Sequence, residues 1–320
     1  MRAAPMGVDF LLFKNTGSMI FKEVAAKYMD FRKADLRPTS YASYLHLLEK
    51  RIIPKVGNIK IGKFCENDLQ TFVDDSQNRG YSKHGTRDCV SIIKLVLKYG
   101  NKMGWCAFTP MDVHYAREEK NNKRHLLSDN EFKRLLDYCT EYPSKRTLPT
   151  LIAMTTGLRI GEVCALQYGD IDFENMTINI TKSVKRVCTP HKKSILEVSA
   201  PKTLSSIRTV PLLPEISKLL ANNCPDKDVY ISSGNKIAPL EPRTYRQKYG
   251  RLLRVLGIKA YTFHDLRHTF ASRCINAGAD ARTVADMLGH TNVEMTLNTY
   301  THSSDMRKRQ VMQAACISAK

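Results

Sequence analysis

The segment 264–270 places a cation and a titratable ring at a spacing that suits chemistry on an anion. In a helix, His264 and Arg267 lie three positions apart and share one face, while Leu266 and Phe270, four positions apart, share another. One face can then be held in a core while the other presents an imidazole and a guanidinium to a negative group. A histidine and an arginine on a helix more often form a solvated face, so this segment alone does not establish a site.

A second candidate is a row of cations on one predicted helix of the N-terminal part. The apolar stripe of this helix comprises Cys89, Ile92, Ile93, Val96 and Leu97. Four cations fall on the opposite side of the helix wheel: Arg87, Lys94, Lys98 and Lys102. Such a row is often no more than a solvated face. It lacks the alternating signs of a salt-bridged surface, however, and therefore suits a row of DNA phosphates.

The composition favours a strongly negative partner. The 320-residue chain holds 50 Lys and Arg against 31 Asp and Glu, which gives a formal charge of +19. That bias suits a polyanion, although a ribosomal or membrane-surface protein would share it. The length suggests about two domains, and the 42% hydrophobic content is enough for ordinary globular cores.

Nine cysteines are scattered along the chain without a Cys-x-x-Cys pair. An odd, widely spaced set is typical of reduced thiols and not of a disulfide framework or a zinc site, so we predict no metal. The apolar patch at 8–13 is interrupted by Asp9 and is too short for a signal peptide or a membrane span. We therefore expect a soluble cytoplasmic protein with no membrane partner.

The chain is expected to form two domains joined by a charged linker. Residues 1–17 show no periodicity and are predicted to be a flexible lead. Residues 18–112 carry four helical patterns and form the first domain. Residues 113–125 lose the apolar pattern and form the linker. Residues 126–320 form the second domain with a C-terminal tail.

Two prolines and a glycine are expected to bound the helices of the first domain. The Arg37–Pro38 step should end the first helix, because proline disfavours the helical conformation of the residue before it. The second helix should stop before Pro54, and the third should close at Gly80.

The second domain is predicted to be mainly helical with one small antiparallel sheet. Ser128, with Glu131 three positions on, forms a capping-box pattern for its first helix. Gly157 ends a later helix, and Thr262 is the candidate N-cap of the histidine-bearing helix. Three alternating or β-branched runs are predicted to form the sheet: 176–181, 194–199 and 207–212. Lys202 then lies in the turn between the last two strands.

Five separated segments occur in an order that is characteristic of one enzyme family. They are 155–162 (TTGLRIGE), 201–203 (PKT) with 208–212 (RTVPL), 264–268 (HDLRH), 288–290 (LGH) and 299–302 (TYTH). Together they resemble the catalytic boxes of the tyrosine recombinases, the phage-integrase family. The resemblance covers nearly all of residues 18–305, and the last box is most similar to integrases of temperate phages and conjugative transposons.

This resemblance implies a fold, an activity and a set of partners. The fold is an all-helical core-binding domain followed by an α+β catalytic domain. Such enzymes cut and rejoin double-stranded DNA through a 3′-phosphotyrosine, integrating or excising a mobile element, and need no ATP, metal or other cofactor. They act as a homotetramer on nucleoid DNA, with accessory DNA-bending or excision factors in some systems.

The same resemblance assigns a catalytic set of six residues: Arg159, Lys202, His264, Arg267, His290 and Tyr300. Guanidinium stays protonated and makes paired hydrogen bonds, so the two arginines suit the non-bridging oxygens of the phosphate. The lysine is the general acid for the departing 5′-oxygen, and the tyrosine is the nucleophile. The first histidine is the candidate base and the second the candidate phosphate donor. Glu162 is expected to hold the guanidinium of Arg159 in place.

Several of these residues also have a plainer interpretation. Arg159 and Glu162 form a helical ion pair in either case. Lys202 is an ordinary solvated turn residue if the other boxes are set aside. Tyr300 continues the apolar stripe of Val293 and Leu297, which is typical of a core residue.

Two other functions share many of these features. A type IB topoisomerase has the tyrosine and the cations but relaxes supercoils as a monomer, and the full His-x-x-Arg and Gly-His boxes favour the recombinase. A DNA-binding protein that has lost catalysis is the second alternative, and the intact catalytic set argues against it.

The two ends of the chain leave further alternatives open. Many integrases of this type carry an additional N-terminal domain that binds arm sites, whereas about 17 residues precede the first predicted helix. The sequence is therefore either a simple two-domain recombinase or a truncated one. The short amphipathic segment 311–317 is expected to fold back onto its own domain or to pack on a neighbouring protomer.

Overall fold

The computed structural model describes residues 19–116, 126–187, 194–200, 207–290 and 292–294. The described residues divide into two compact units: 19–116 with Val187, Ser194 and Ile195 form the first, and the other described residues from 126 onward form the second. Helices dominate and small sheets follow residue 170, in agreement with the predicted fold class. Lys202, Tyr300, the lead 1–17 and the C-terminal tail lie outside the described residues.

In the described part of the first unit, five α-helices pack around one apolar core. They are α1 (Phe21–Arg32), α2 (Pro38–Leu47), α3 (Ile53–Val56), α4 (Glu66–Asn78) and α5 (Lys83–Lys102). A π-helical turn, Leu48–Ile52, joins α2 to α3. The helical spacing of Phe21, Val24 and Tyr28 directs all three side chains into the core, where none is more than 3% exposed.

Two predicted helix ends in this unit are wrong. α1 already ends at Arg32 in a turn, and Pro38 opens α2 in a first-turn position, where its missing N–H leaves no helical bond unmade. Helical structure also continues through Pro54 to Val56. Pro54 again lies in a first helical turn, directly after the π-helical turn, which accommodates its ring.

A segment after α5 runs along α4 and α5. The His114 N–H donates to Gln70 Oε1 at 2.8 Å, and Gln70 Nε2 donates to the His114 carbonyl at 3.0 Å. The Ala116 N–H donates to Gln77 Oε1 at 3.2 Å. Residues 113–116, which the sequence assigns to the linker, are therefore attached to the first unit, and the rest of the linker lies outside the described residues.

Seven α-helices of the second unit lie within the described residues: α6 (Asp129–Glu141), α7 (Leu148–Thr156), α8 (Ile160–Ala165), α9 (Pro214–Asn222), α10 (Pro242–Val255), α11 (Phe263–Asn276) and α12 (Ala281–Leu288). The predicted capping box of α6 is confirmed, since the Ser128 N–H donates to Glu131 Oε2 at 2.9 Å and the Glu131 N–H donates to Ser128 Oγ at 3.4 Å. Thr262 is the N-cap of α11, as expected. None of the described helices has both the length and the apolar character that crossing a bilayer requires.

The strands form two small sheets, where the sequence predicted one. The first sheet is antiparallel and contains β1 (Ile171–Asp172), β2 (Thr177–Ile180) and β5 (Arg208–Pro211); the second contains β3 (Ser183–Val187) and β4 (Ile195–Ser199). The β2–β5 register pairs Ile178 with Val210 and buries both side chains. Among the described residues β5 pairs with β2 and not with β4, so the last two predicted strands are not neighbours in one sheet. The segment between them that holds Lys202 lies outside the described residues.

Gly157 marks the point where three helices of the second unit meet. α7 ends at this glycine, which has a left-handed conformation with φ of +69°. A Cβ here would lie 2.6 Å from Phe270 Cδ1 on α11 and 2.7 Å from Leu288 Cδ2 on α12. Glycine alone satisfies both the backbone conformation and these contacts. The junction fixes the chain two residues before Arg159.

Gly157→Ala is expected to destabilise the second unit more than Gly257→Ala does. Both glycines have positive φ, but a Cβ at Gly257 would meet no heavy atom within 4 Å. The shared conformational cost is about 1–2 kcal/mol, and overpacking adds about 1–3 kcal/mol at Gly157. Hydrogen exchange of the α7 amides measures the free energy of opening in each variant. Equal effects of the two substitutions would contradict a tightly packed junction.

Candidate active site

Arg159 and Glu162 form the ion pair that their spacing allows. Arg159 is the N-cap of α8; its N–H donates to Glu162 Oε2 and its Nη1 donates to Glu162 Oε1, both at 2.9 Å. The glutamate side chain is 3% exposed, whereas that of Arg159 is 37% exposed. One edge of the guanidinium is therefore fixed by a buried carboxylate, while part of the side chain remains exposed to solvent.

A second arginine, Arg208, shares the same carboxylate. It is the first residue of β5, and its Nη1 and Nη2 donate to Glu162 Oε1 at 3.3 Å and Oε2 at 3.0 Å. Its Nε donates to the Met287 carbonyl at 2.7 Å. Burial opposes the ionisation of Glu162, but the hydrogen bonds and charges of Arg208 and Arg159 outweigh it and hold the pKa of the carboxyl below its usual value.

Arg267 is buried, contrary to the exposed face that the helix wheel predicted. It is 2% exposed on α11, and its guanidinium donates to the Gly157 carbonyl at 2.9 Å and to the Leu288 carbonyl at 2.8 Å. Both carbonyls lie at C-terminal helix ends, which lack intrahelical donors and so accept the charged group without breaking a helix bond. These bonds offset the desolvation of the guanidinium. His264, one turn earlier, stays exposed on one side.

The C-terminal end of α12 is the common acceptor for all three guanidiniums. Its Met287 carbonyl accepts from Arg208, and its Leu288 carbonyl accepts from Arg267 and, at 3.4 Å, from Arg159. The carbonyl of the C-cap residue, Gly289, accepts from Arg159 Nη2 at 3.2 Å. Cations are stabilised at a helix C-terminus because the unpaired carbonyls give it partial negative charge. The helix end thereby sets the relative positions of the three arginines.

His264 lies beside two of these guanidiniums, in the first turn of α11. Its ring centre is 4.6 Å from that of His268. Desolvation by the surrounding protein and the charges of Arg267 and Arg159 lower the pKa of His264, although one side of the residue faces solvent. The imidazole is therefore mainly neutral at pH 7.

His290 follows the α12 C-cap and is half-buried. Its N–H donates to the Ala285 carbonyl at 3.0 Å. Desolvation, then the charges of Arg267, Arg159 and Arg208, lower the pKa of its imidazole to about 4. The ring is neutral at pH 7 and can donate one N–H to an anion.

The network of Arg159, Arg208, Arg267 and Glu162 carries an excess of positive charge. Three guanidiniums and one carboxylate give a net charge of +2 at neutral pH, because the adjacent histidines are neutral. A cluster of this kind attracts an anion with several oxygen acceptors, and a phosphate group has that chemistry. No group of three or more His, Cys, Asp and Glu side chains that could hold a metal ion occurs among the described residues.

The structure brings together five of the residues that the sequence singled out: Arg159, Glu162, His264, Arg267 and His290. Lys202 and Tyr300 lie outside the described residues, and their predicted roles stay predictions. Sequence reasoning missed Arg208 as a member of the cluster. The available signal was an arginine at the start of an apolar strand within the second matched box, where a charged residue needs a buried partner.

The four cations predicted to bind DNA lie on α5 but contact their own unit. Arg87, Lys98 and Lys102 lie over the rings of Tyr115, Phe108 and Phe31, at 5.2, 5.6 and 5.6 Å from the ring centres. Lys94 Nζ donates to the Met111 carbonyl. These contacts engage each cation without neutralising its charge, so DNA binding by this face stays a prediction.

Family comparison identifies the chain. The model described as the phage integrase family matches residues 125–307, more than half of the sequence, and the phage integrase N-terminal SAM-like domain matches residues 20–76. The chain belongs to the phage integrase family. It is accordingly a tyrosine recombinase, an enzyme class that breaks and rejoins DNA.

Individual relatives of this integrase-family protein come from bacteria and their mobile elements. A XerC-like tyrosine recombinase of Caldanaerobacter subterraneus subsp. tengcongensis is 26% identical over 281 residues, 80% of this chain and 71% of the relative. The transposase from transposon Tn916 of Enterococcus faecalis is 31% identical over 199 residues, 56% of this chain and 48% of the relative. The matched region thus spans about half the length of the transposon relative.

Solved structures support the same fold. The Tn1549 transposon integrase in complex with a circular intermediate DNA has a TM-score of 0.76 at 22% identity, covering 93% of this chain and 100% of that one. A lambda integrase dimer bound to a COC′ core site has a TM-score of 0.65 at 13% identity, covering 91% and 80%. At these identities the likeness concerns the fold, and it confirms the predicted fold class of the integrase family.

His290 is expected to titrate near pH 4 in the native integrase. Its pKa lies below 6.5, the ordinary value for a histidine side chain, so the unfolded chain binds more protons between pH 4 and 6.5. The contribution of this histidine to stability therefore decreases as pH falls from 6.5 towards 4. NMR titration of the His290 ring measures the midpoint, and the same signal in urea, expected near 6.5, is the control. A native midpoint above 6 would contradict the guanidinium cluster around this ring.

Proposed function

We propose that this tyrosine recombinase is a site-specific enzyme that integrates or excises a mobile element in double-stranded DNA. The guanidinium network with its net positive charge carries the proposal. A phosphodiester gains negative charge on its non-bridging oxygens as it is attacked, and preorganised donors stabilise that charge. Similarity to a transposon transposase supports the mobile-element context.

Arg159 and Arg267 are the proposed ligands of the scissile phosphate. Their guanidiniums share the Leu288 carbonyl as an acceptor, which brings them close together with a fixed relative orientation. A preorganised pair avoids reorientation at the moment when charge develops on the phosphate. His290, neutral at pH 7, contributes a further N–H donor.

Tyr300 is the proposed nucleophile, and His264 the proposed base. A phenol with a pKa of about 10 is only about 0.1% ionised at pH 7, so it needs a group that accepts its proton. A histidine with a lowered pKa is unprotonated at pH 7 and can accept it. Attack forms the 3′-phosphotyrosine bond and breaks the bond to the 5′-oxygen, which takes a proton from Lys202. Strand exchange reverses these steps with a 5′-hydroxyl of another duplex.

The energetics of this scheme require no external energy source, since one phosphate ester replaces another. We propose that the chain acts as a homotetramer on DNA, in the bacterial cytoplasm, with accessory DNA-bending or excision factors. A lambda integrase tetramer bound to a Holliday junction, with a TM-score of 0.64, is a structural neighbour that supports the tetramer. The core-binding domain at 18–112 and the α5 cations are the proposed additional DNA contacts.

Tyr300→Phe is expected to abolish covalent attachment to DNA and to leave the dissociation constant unchanged within about twofold. The substitution removes one oxygen and no charge, so the phosphate contacts persist. A nicked suicide duplex, which traps the covalent intermediate, is the substrate, and denaturing gel electrophoresis detects the adduct. Tyr142→Phe, at an exposed tyrosine of α6's C-terminal end, is the matched control and should react at the wild-type rate.

The suicide-duplex assay and a plasmid-relaxation assay together separate the recombinase from the two alternative functions. A wild-type chain that binds DNA but gives no adduct would be a silent DNA-binding protein. Relaxation of supercoiled plasmid by a monomer without strand exchange would indicate a topoisomerase. Adduct formation by Tyr300→Phe would show that another residue is the nucleophile.

A further inference from the structure

Arg208 uses its guanidinium differently from Arg159, the other arginine that bonds Glu162. All three of its nitrogens donate within the protein, Nε to the Met287 carbonyl and the two Nη to Glu162. Its side chain is 7% exposed, compared with 37% for Arg159. A phosphate can therefore reach Arg159, whereas Arg208 is turned inward and directs its charge to the carboxylate.

Glu162 connects the two arginines. Its Oε1 accepts from Nη1 of Arg159 at 2.9 Å and from Nη1 of Arg208 at 3.3 Å, and its Oε2 accepts from Arg208 Nη2 at 3.0 Å. The carboxylate is nearly fully buried, so it needs charged partners to stay ionised. Arg208 supplies two of these hydrogen bonds. It therefore offsets much of the desolvation of the carboxylate, which Arg159 would otherwise have to offset alone.

We infer that Arg208 is a positioning residue for the proposed DNA cleavage, acting on Arg159 through Glu162. The inference rests on the proposed function. With Arg208 in place, the carboxylate takes a single Nη of Arg159. The α12 end takes bonds from both Nη atoms, and the donors that are then left on this partly exposed guanidinium can reach the phosphate. Without Arg208, the buried carboxylate draws Arg159 inward and withdraws donors from the DNA.

The anchoring of Arg208 extends to two other elements. Its Nε holds the α12 end at Met287, the residue before the carbonyl that receives Arg267. Its backbone pairs with Ile180 of β2, so the start of β5 is fixed six residues after Lys202. The Arg208 side chain thus connects β5, the strand that follows the lysine segment, to the elements that hold Arg159 and Arg267.

Arg208→Lys provides the sharpest test, because lysine keeps the charge but cannot bond both carboxylate oxygens and the carbonyl in one plane. Single-turnover cleavage of a nicked suicide duplex is expected to slow by about tenfold or more, in line with the loss of a preorganised donor, while the dissociation constant changes by less than about twofold. Arg282→Lys is the matched control: it alters an exposed Arg–carboxylate pair on α12 and should leave both quantities unchanged.

The Glu162→Gln background shows whether Arg208 acts through the carboxylate. Glu162→Gln should itself slow cleavage, and adding Arg208→Lys should cause little further loss. If Arg208→Lys slows cleavage by the same factor in the Glu162→Gln background as in the wild type, the inference is overturned, since Arg208 would then act on the phosphate directly. An equal loss of DNA affinity and of cleavage rate in Arg208→Lys would overturn it as well.

A DNA-free measurement keeps this test independent of the proposed function. In NMR spectra of the full chain labelled with ¹⁵N-arginine, rotation about the Arg159 guanidinium is expected to be hindered in the wild type, more strongly hindered in Arg208→Lys, and released in Glu162→Gln. If the Arg159 signals are the same in all three proteins, the inference fails. If the wild type does not cleave DNA, the proposed function fails, and the NMR comparison still decides whether Arg208 positions Arg159.

Discussion

The end of one helix and one buried carboxylate hold the cationic centre of this protein together. Three guanidiniums that would repel one another are placed on successive carbonyls of the α12 terminus, and two of them share Glu162. Helix ends have unpaired acceptors and partial negative charge, so the α12 end and Glu162 together stabilise a local excess of cations. The remaining net positive charge is what makes the site suitable for a phosphodiester.

The helical core determines where that centre lies. Gly157 allows α7, α11 and α12 to meet closely enough for the Gly157 and Leu288 carbonyls to reach Arg267. α8 begins two residues later, with Arg159 as its N-cap, and β5 brings Arg208 from the sheet. The geometry of the guanidinium cluster is therefore a property of packing between four helices and one strand. Mobility of any of these elements would separate the guanidiniums.

Local sequence patterns predicted much of this arrangement, and failed where distant partners decide. The capping box at Ser128 and the cap at Thr262 depend on neighbours a few positions away, so the sequence identified both. The burial of Arg267 and the place of Arg208 in the guanidinium cluster depend on backbone carbonyls of other helices, which are distant in the sequence. No local sequence pattern encodes these contacts. The strand pairing was missed for the same reason, since β5 pairs with β2 although the two strands of the other sheet, β3 and β4, lie between them in the sequence. Helix continuity through Pro54 required a π-helical turn that periodicity does not reveal.

The most direct test of this account is a crystal structure of the chain on duplex DNA with vanadate at the cleavage site, as a mimic of the pentacoordinate phosphorus of the transition state. We expect the non-bridging oxygens of the vanadate to accept hydrogen bonds from Arg159 and Arg267, with Arg208 still bonded to Glu162 and to the Met287 carbonyl. Two results would contradict the central role of the α12 end and of Glu162. One is vanadate bound away from these two arginines, and the other is Arg208 detached from Glu162 and bonded to the vanadate.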